Sequence, residues 1–314
     1  MFVYRGFLQK AVADTVLTLG NFDGVHLGHR ALLAQLMTSA KENNLVATAL
    51  TFEPHPRDFF APESAPTRLS ALREKLELIA EEGVTQTYVC RFNACFAALS
   101  AEDFIEHILV DSLRVKHLII GDDFRFGAGR RGNFTMLHEA GNRFGFKIDA
   151  MNSVMLEGER VSSSAVRSAL ATGKMDRAAQ LLGRPYSIDG RVIHGDQLGR
   201  QLGFATANIR IKHDKPPLLG VFAVEVRGVD GKTLKGVANL GFRPSINKAV
   251  QPLLEVHLFD FAHEIYGTHL NVRFLHKLRD EMKFPDFNAL KAQIATDVTE
   301  GKAYFHHRDT EAQR

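Results

Sequence analysis

GNFDGVHLGH, residues 20–29, is the stretch on which the reading of this chain turns. It follows TVLTL, residues 15–19, a β-branched and apolar run that reads as a buried strand, and it precedes residues 30–41, where Leu32, Leu36 and Ala40 recur at helical spacing. The stretch is therefore a strand-to-helix turn. His26 and His29 flank Gly28, so both rings share one face of the first helical turn, while the glycine lets a ligand approach the backbone. The unpaired N–H groups and positive dipole end of a helix start suit a phosphate. An isolated H-x-G-H fits an ordinary glycine-rich connection equally well, so its meaning depends on what the chain places beside it.

Downstream, LVATALTF at 45–52 reads as a second buried strand, ended by Glu53-Pro54-His55-Pro56 because proline lacks the ladder donor. Ser70 caps a helix over 71–82 whose inner face is Leu72, Leu76 and Ile79 and whose stop is Gly83. A third strand at 88–92 comes next. A helix capped by Ser100 with Asp103 then buries Phe104, Ile105, Ile108 and Leu109, and a fourth strand occupies 117–120. The loop GDDFRFGAGRRGN at 121–133 closes that strand, and a helix near 136–143 with a strand near 146–150 completes the alternation. Such alternation predicts an α/β domain with a parallel, doubly wound sheet, where ligands collect at the carboxyl ends of the strands. The loops at 20–29, 53–56 and 121–133 all belong to that edge and are expected to converge on one crevice.

Ser162-Ser163-Ser164 opens a further helix containing Arg167, and Gly173 and Gly183 punctuate two short helices that end near Arg184-Pro185. From Tyr186 the rhythm changes to strands at 186–194, 205–211, 221–227, 234–240, 253–259 and 270–275, with Asp230-Gly231 as a hairpin signal. Six strands in about ninety residues predict a small antiparallel β-barrel. A closing helix runs from 286 to about 304, with Leu290, Ile294 and Val298 four apart. The expected division is an α/β domain over 1–184 and a six-stranded barrel with a terminal helix over 185–314.

Composition narrows the classes. At 314 residues and 45% hydrophobic, the chain holds enough material for one large or two ordinary globular domains. Nowhere do 18 apolar residues run together, and Tyr4, Arg5, Gln9 and Lys10 interrupt the start, so no signal-peptide core is read and a cytoplasmic location is expected. Cys90 and Cys95 are too few for a disulfide framework or a four-ligand metal site, which points to reduced thiols. Net charge +3 suits an anionic ligand such as a nucleotide, and no basic run is long enough to argue for nucleic acid. His306-His307 reads as a solvated pair.

Six motifs carry a resemblance. GNFDGVHLGH (20–29), TFEPHP (51–56), GDDFRFG (121–127), SSSAVR (162–167), GRVIHGDQLGRQLGFATANI (190–209) and LLEVHLFDF (253–261) are similar, in order and in their division between two domains, to the bacterial bifunctional riboflavin kinase/FAD synthetase family. The resemblance implies a Rossmann-like nucleotidyltransferase domain that adenylylates FMN to FAD with release of pyrophosphate, followed by a riboflavin kinase-like barrel that phosphorylates riboflavin to FMN. It also implies ATP as co-substrate and Mg2+ as cofactor. The expected partners are small molecules (riboflavin, FMN and ATP), with no nucleic acid and no membrane.

For adenylyl transfer, the resemblance makes His26 and His29 catalytic. Gly20, Asp23, Gly28, Asp123, Ser162, Ser163 and Arg167 then bind ATP and its phosphates, while Pro54, His55 and Pro56 border the flavin. The chemistry agrees with these residue types: attack of an FMN phosphate oxygen on the α-phosphorus needs alignment and charge neutralisation and no covalent nucleophile. The planar fork of Arg167 can hold a phosphate in two hydrogen bonds. Asp23 and Ser162 also fit plain helix caps, and Phe124 and Phe126 fit packing.

For the kinase, Glu255 matches the base that takes the proton of the riboflavin 5′-hydroxyl, although strand alternation alone reads it as an outward-facing glutamate. Thr206 and Asn208 match the residues that hold Mg2+ through neutral oxygens, Gly195, Gly199 and Gly203 a loop whose backbone wraps phosphates, and Arg279 a flavin-side contact. Two positions depart from the family pattern. Ala205 stands where proline is usual, which loosens the magnesium-holding turn, and Ser164 replaces threonine and keeps its hydroxyl.

Two other classes share parts of this pattern. An adenylyltransferase of phosphopantetheine or nicotinamide mononucleotide would carry the H-x-G-H turn but has no use for Thr206, Asn208 and Glu255. A non-catalytic flavin- or nucleotide-binding regulator has no use for both histidines, Arg167 and Glu255 together. A single-strand-binding barrel would alternate aromatic with basic residues, and these strands do not.

Overall fold

The structure, a computed structural model, describes residues 1–6, 10–195, 204–212, 215–244 and 250–312. The chain forms two compact units, Met1–Pro66 with Leu72–Ser162, and Thr67–Ala71 with Ser163–Arg314.

In the first unit, six strands make one parallel sheet: β1 (Phe2–Arg5), β2 (Thr15–Leu19), β3 (Val46–Glu53), β4 (Gln86–Arg91), β5 (Val115–Gly121) and β6 (Lys147–Met151), in the order β1-β4-β3-β2-β5-β6. Every position of β2 is buried. Its alternation feeds two cores: Leu17 and Leu19 join Leu50, Leu109 and Leu118 on one face, while Val16 packs with Leu33, Leu36 and Ile79 on the other. A sheet covered on both faces is why these strands read as continuous apolar runs. β1 escapes the sequence reading because its residues are exposed or half-buried at the sheet edge, and only parallel pairing with β4 defines it.

The helices are α1 (Leu27–Asn43), α2 (Pro56–Phe60), α3 (Leu72–Glu81), α4 (Ala94–Ala97), α5 (Ala101–Asp103, continued by a π-helical stretch, Phe104–Ser112) and α6 (Phe134–Phe144). Ser100 caps α5 as expected, its Oγ accepting the Asp103 N–H at 2.9 Å. α3 corrects the expected inner face: Glu74, Lys75 and Ile79 are its buried side chains, while Leu72 and Leu76 are half-buried. A two-strand hairpin of β7 (Met155–Leu156) and β8 (Glu159–Arg160) is too short to leave a period in the sequence. One polar chain ties α1 to the sheet: the Asp149 carboxylate lies 2.8 Å from His117 Nε2, and His117 Nδ1 lies 2.6 Å from Ser39 Oγ.

The second unit opens with α7 (Ser163–Ala171) and α8 (Met175–Leu182), stopped where expected by Gly173 and Gly183, both at φ 71°. Six antiparallel strands then close a barrel in the order β10-β13-β12-β11-β14-β9, where β9 is Tyr186–Ile193, β10 Ala207–Arg210, β11 Gly220–Val229, β12 Lys232–Pro244, β13 Val250–Leu258 and β14 His269–Arg279. Asp230 and Gly231, at φ 47° and 69°, form the two-residue turn between β11 and β12 that their sequence announces. The closing helix α9 (Phe287–Ala312) starts where Asp286 Oδ1 accepts the Ala289 N–H at 2.8 Å, and it carries exposed His306 and His307 beyond the expected end. Among the described residues, no helix is long and apolar enough to cross a membrane.

Candidate active sites

The order of the first sheet sets β2 beside β5, although the chain runs from β2 through β3 and β4 on one side before crossing to the other. Neighbouring parallel strands whose connections leave in opposite directions open a crevice at their carboxyl ends. Residues 20–29 follow β2, and Asp123 follows β5, so both stand at that point.

The turn after β2 is strained. Phe22 (φ 48°) and Val25 (φ 39°) adopt left-handed backbone, which costs on the order of 1–3 kcal/mol each for such side chains. The strain persists because both side chains are enclosed, at 0% and 1% exposure. His26, and not Asp23, is the N-cap of α1: its Nδ1 accepts the His29 N–H at 3.4 Å. The two rings stack with centroids 3.8 Å apart. Gly28 permits the stack, since a Cβ there would stand 3.2 Å from the His26 ring and 3.6 Å from the Val161 carbonyl, next to Ser162. Asp23 is buried at 1% exposure, and Gly20 packs on Phe22. The first turn of α1 carries no acidic residue, so its dipole end keeps its positive character.

His29 Nδ1 is enclosed without a hydrogen-bond partner. Burial, then His26 and the ammonium of Lys75, hold its pKa well below the usual range, so the ring is neutral. Lys75 is a residue that sequence reading missed, because a lysine beside an apolar stripe is assigned to the solvent face. Asp123 is exposed, and its carboxylate accepts a hydrogen bond from Arg160 Nη2 at 2.7 Å. On α7, in the second unit, Ser163 opens the helix and Arg167 Nε donates to the Thr67 carbonyl at 2.6 Å.

At the end of β3, His55 is a helix cap, its Nδ1 accepting the Arg57 N–H at 3.1 Å; it is buried, with Pro54 exposed and Pro56 half-buried beside it. The sequence reading overlooked the aromatic cluster next to it. Phe59 and Phe60, 39% and 66% exposed, meet Phe92 at centroid distances of 5.7 and 5.5 Å, and Phe92 meets Phe52 and Phe96. Paired phenylalanines directly after a proline loop were the available signal. Phe124 and Phe126 are packing residues, stacked 5.7 Å apart, with Phe126 in the core.

In the barrel, Leu254, Val256 and Leu258 turn inward along β13, and Glu255 and His257 alternate to the other face. That face is not open solvent. A cavity of about 260 Å³ is lined by Glu255, Thr206, Asn239, Arg279, Phe284 and Ile294, among others. A second, of about 330 Å³, is lined by Gly195, Thr206, Asn208, Phe261 and Tyr266, and Thr206 and His257 border both. Asn208 faces Glu255 directly across the β10–β13 ladder. Gly195 lies close against Asn208, so a Cβ there would displace the Asn208 amide. Thr206 and Asn208 present neutral side-chain oxygens, donors that fit a hard cation. Gly199 and Gly203 lie outside the described residues.

Arg279 is clamped. Its Nε and Nη2 donate to Asp297 of α9 at 2.8 and 2.7 Å, and Gln293 donates to the same carboxylate at 2.9 Å. Burial raises the pKa of nearby Glu281, partly opposed by Arg279. Arg279 and Asp297 side chains are only 18% and 5% exposed, so Asp297→Ala is expected to lower the unfolding free energy of the barrel by about 3 kcal/mol, read by thermal unfolding, and to raise the KM for a ligand of the first cavity.

A family model described as FAD synthetase matches residues 8–165, and one described as riboflavin kinase matches residues 182–305. The bifunctional riboflavin kinase/FMN adenylyltransferase of Haemophilus influenzae is 50% identical over 298 residues, covering 95% of this chain and 96% of its own. Its Escherichia coli (strain K12) counterpart is 49% identical over 297 residues, 95% of each chain. A solved structure described as a macrolide-efflux protein, from Streptococcus pneumoniae, superposes with a TM-score of 0.81 at 27% identity, over 95% of this chain and 97% of that one. With two matched domains and such identity along nearly the whole length, the chain belongs to the family of bifunctional riboflavin kinases/FMN adenylyltransferases.

Proposed function

We infer that this chain carries out two ATP-dependent steps of flavin cofactor synthesis: phosphorylation of riboflavin to FMN, and adenylylation of FMN to FAD with release of pyrophosphate. The observation that carries the reading is the wall of Thr206, Asn208 and Glu255 between two cavities, which is what an acceptor and a nucleotide meeting end to end require. Riboflavin occupies the apolar cavity with its 5′-hydroxyl toward Glu255, which accepts the proton as the oxygen attacks the γ-phosphorus of ATP. ATP occupies the second cavity, which Tyr266 lines with its ring stacked on that of His194 at 3.9 Å. Thr206 and Asn208 would hold Mg2+, which when bound offsets charge on the phosphates. FMN and ADP result.

In the α/β domain, a phosphate oxygen of FMN displaces pyrophosphate from the α-phosphorus of a second ATP. His26, His29 and the positive end of α1 stabilise the phosphates, with Gly20, Asp23, Gly28, Asp123, Ser162, Ser163 and Arg167 as the remaining nucleotide contacts. The flavin lies against Pro54, His55, Pro56 and the exposed Phe59 and Phe60. The functional boundary is placed at 184/185, and the location is the cytoplasm. Incubating the protein with riboflavin, ATP and Mg2+ should yield FMN and then FAD by chromatography; riboflavin recovered unchanged defeats the bifunctional reading.

A further inference from the structure

We propose that His257 is a positioning residue for phosphoryl transfer, holding the Ala205–Thr206 segment at the wall between the two cavities. His257 Nδ1 lies 2.9 Å from the Ala205 carbonyl oxygen. A carbonyl only accepts, so Nδ1 carries the proton and the ring orientation is set by that bond. The β10–β13 ladder begins at Ala207, paired with Val256, so Ala205 and Thr206 lie beyond the last register pair and the strand does not hold them. Ala205 is exposed, and its methyl group has no polar atom with which to anchor itself. The ring itself is wedged edge-on between Phe204 and Phe259, at centroid distances of 5.6 and 6.2 Å. A fixed imidazole thus reaches from the strand carrying Glu255 to the residue preceding Thr206, and links the proposed base to the proposed cation ligand. His257 and Thr206 each border both cavities.

This inference rests on the kinase reading given above, and the experiment separates the two. Asparagine places its amide nitrogen near the position of Nδ1, whereas glutamine reaches toward that of Nε2. His257→Asn therefore keeps the bond, and His257→Gln loses it at similar size and polarity. Binding of ADP to the full-length protein is measured by calorimetry with and without Mg2+, alongside KM and kcat for riboflavin phosphorylation. His257→Gln is expected to weaken Mg2+-dependent ADP binding roughly fivefold to tenfold and to raise the KM for Mg·ATP by a similar factor. His257→Asn should stay within about twofold of wild type. FMN adenylylation and the melting temperature report that each variant is folded. Asn and Gln variants that bind Mg·ADP alike overturn the proposal, whether both resemble wild type or both are impaired. Wild-type protein that neither binds Mg·ADP in the barrel nor phosphorylates riboflavin overturns the kinase reading instead.

Discussion

Replacing Glu255 by glutamine is expected to lower FMN formation from riboflavin by about 10²–10⁴-fold while conversion of supplied FMN to FAD continues at the wild-type rate. A primary hydroxyl is too weak an acid to ionise unaided near neutral pH, so the rate depends on a carboxylate placed to receive its proton as the phosphorus is attacked. Glutamine keeps the shape and a hydrogen-bonding oxygen at the end of the side chain, and loses only the basicity. Glu255 lines the apolar cavity and faces Asn208 across the ladder, which sets its carboxylate at the wall toward the second cavity. The assay follows both products from the same preparation. Equal losses in both activities would show that the change acts on the fold, and an undiminished kinase rate would remove Glu255 from the mechanism.

His29→Ala should have the converse effect, lowering FAD formation from FMN by about 10²–10³-fold with riboflavin phosphorylation unchanged. A hydrogen-bond donor fixed at the start of a helix stabilises charge that grows on transferring phosphates, and it does so more strongly in an enclosed site than in water. The same enclosure sets a pH dependence. Burial, His26 and Lys75 hold the native pKa of His29 well below its ordinary range, whereas the unfolded chain binds this proton near about 6.5. Below that pH the unfolded state carries the extra proton, so this contribution to stability is fully present above about 6.5 and falls as the pH drops. Denaturant titrations at about pH 5.5 and 7.5 should therefore show a larger loss on acidification for wild type than for His29→Ala. Equal losses would mean that His29 ionises in the folded protein as it does in the unfolded one.

Much of the architecture is legible in local spacing. The continuous apolar runs, the capping serine at 100 and the Asp230-Gly231 turn each state their own conformation, because capping, turn geometry and strand period involve residues close in the chain. The exposed edge strand β1, by contrast, carries no apolar period, and its partner is more than eighty residues away.

The candidate sites divide along the same line. The two histidines, the serines before α7, Thr206, Asn208 and Glu255 are recognisable as a set in order along the chain. Left-handed Phe22 and Val25 are invisible there, since neither residue type favours such a backbone and only burial of both side chains sustains it. Asp23 looks like the cap of α1, yet the turn delivers His26 to that role. Lys75 shares the helical face of Leu72, Leu76 and Ile79 by its spacing, its residue type alone assigns it to solvent, and it is fully enclosed.

Glu255 shows the physical reason most directly. Its strand period specifies that it points away from Leu254 and Val256, and the sequence can specify no more than that. Whether the outer face meets water or a ligand depends on Arg279, Phe284 and Ile294, which arrive from later in the chain to wall the cavity. Short-range periodicity and turn chemistry thus determine the two folds and the inventory of reactive groups. Tertiary packing decides which of those groups are enclosed, and enclosure is what gives them a changed proton affinity, a fixed rotamer and a neighbour to react with.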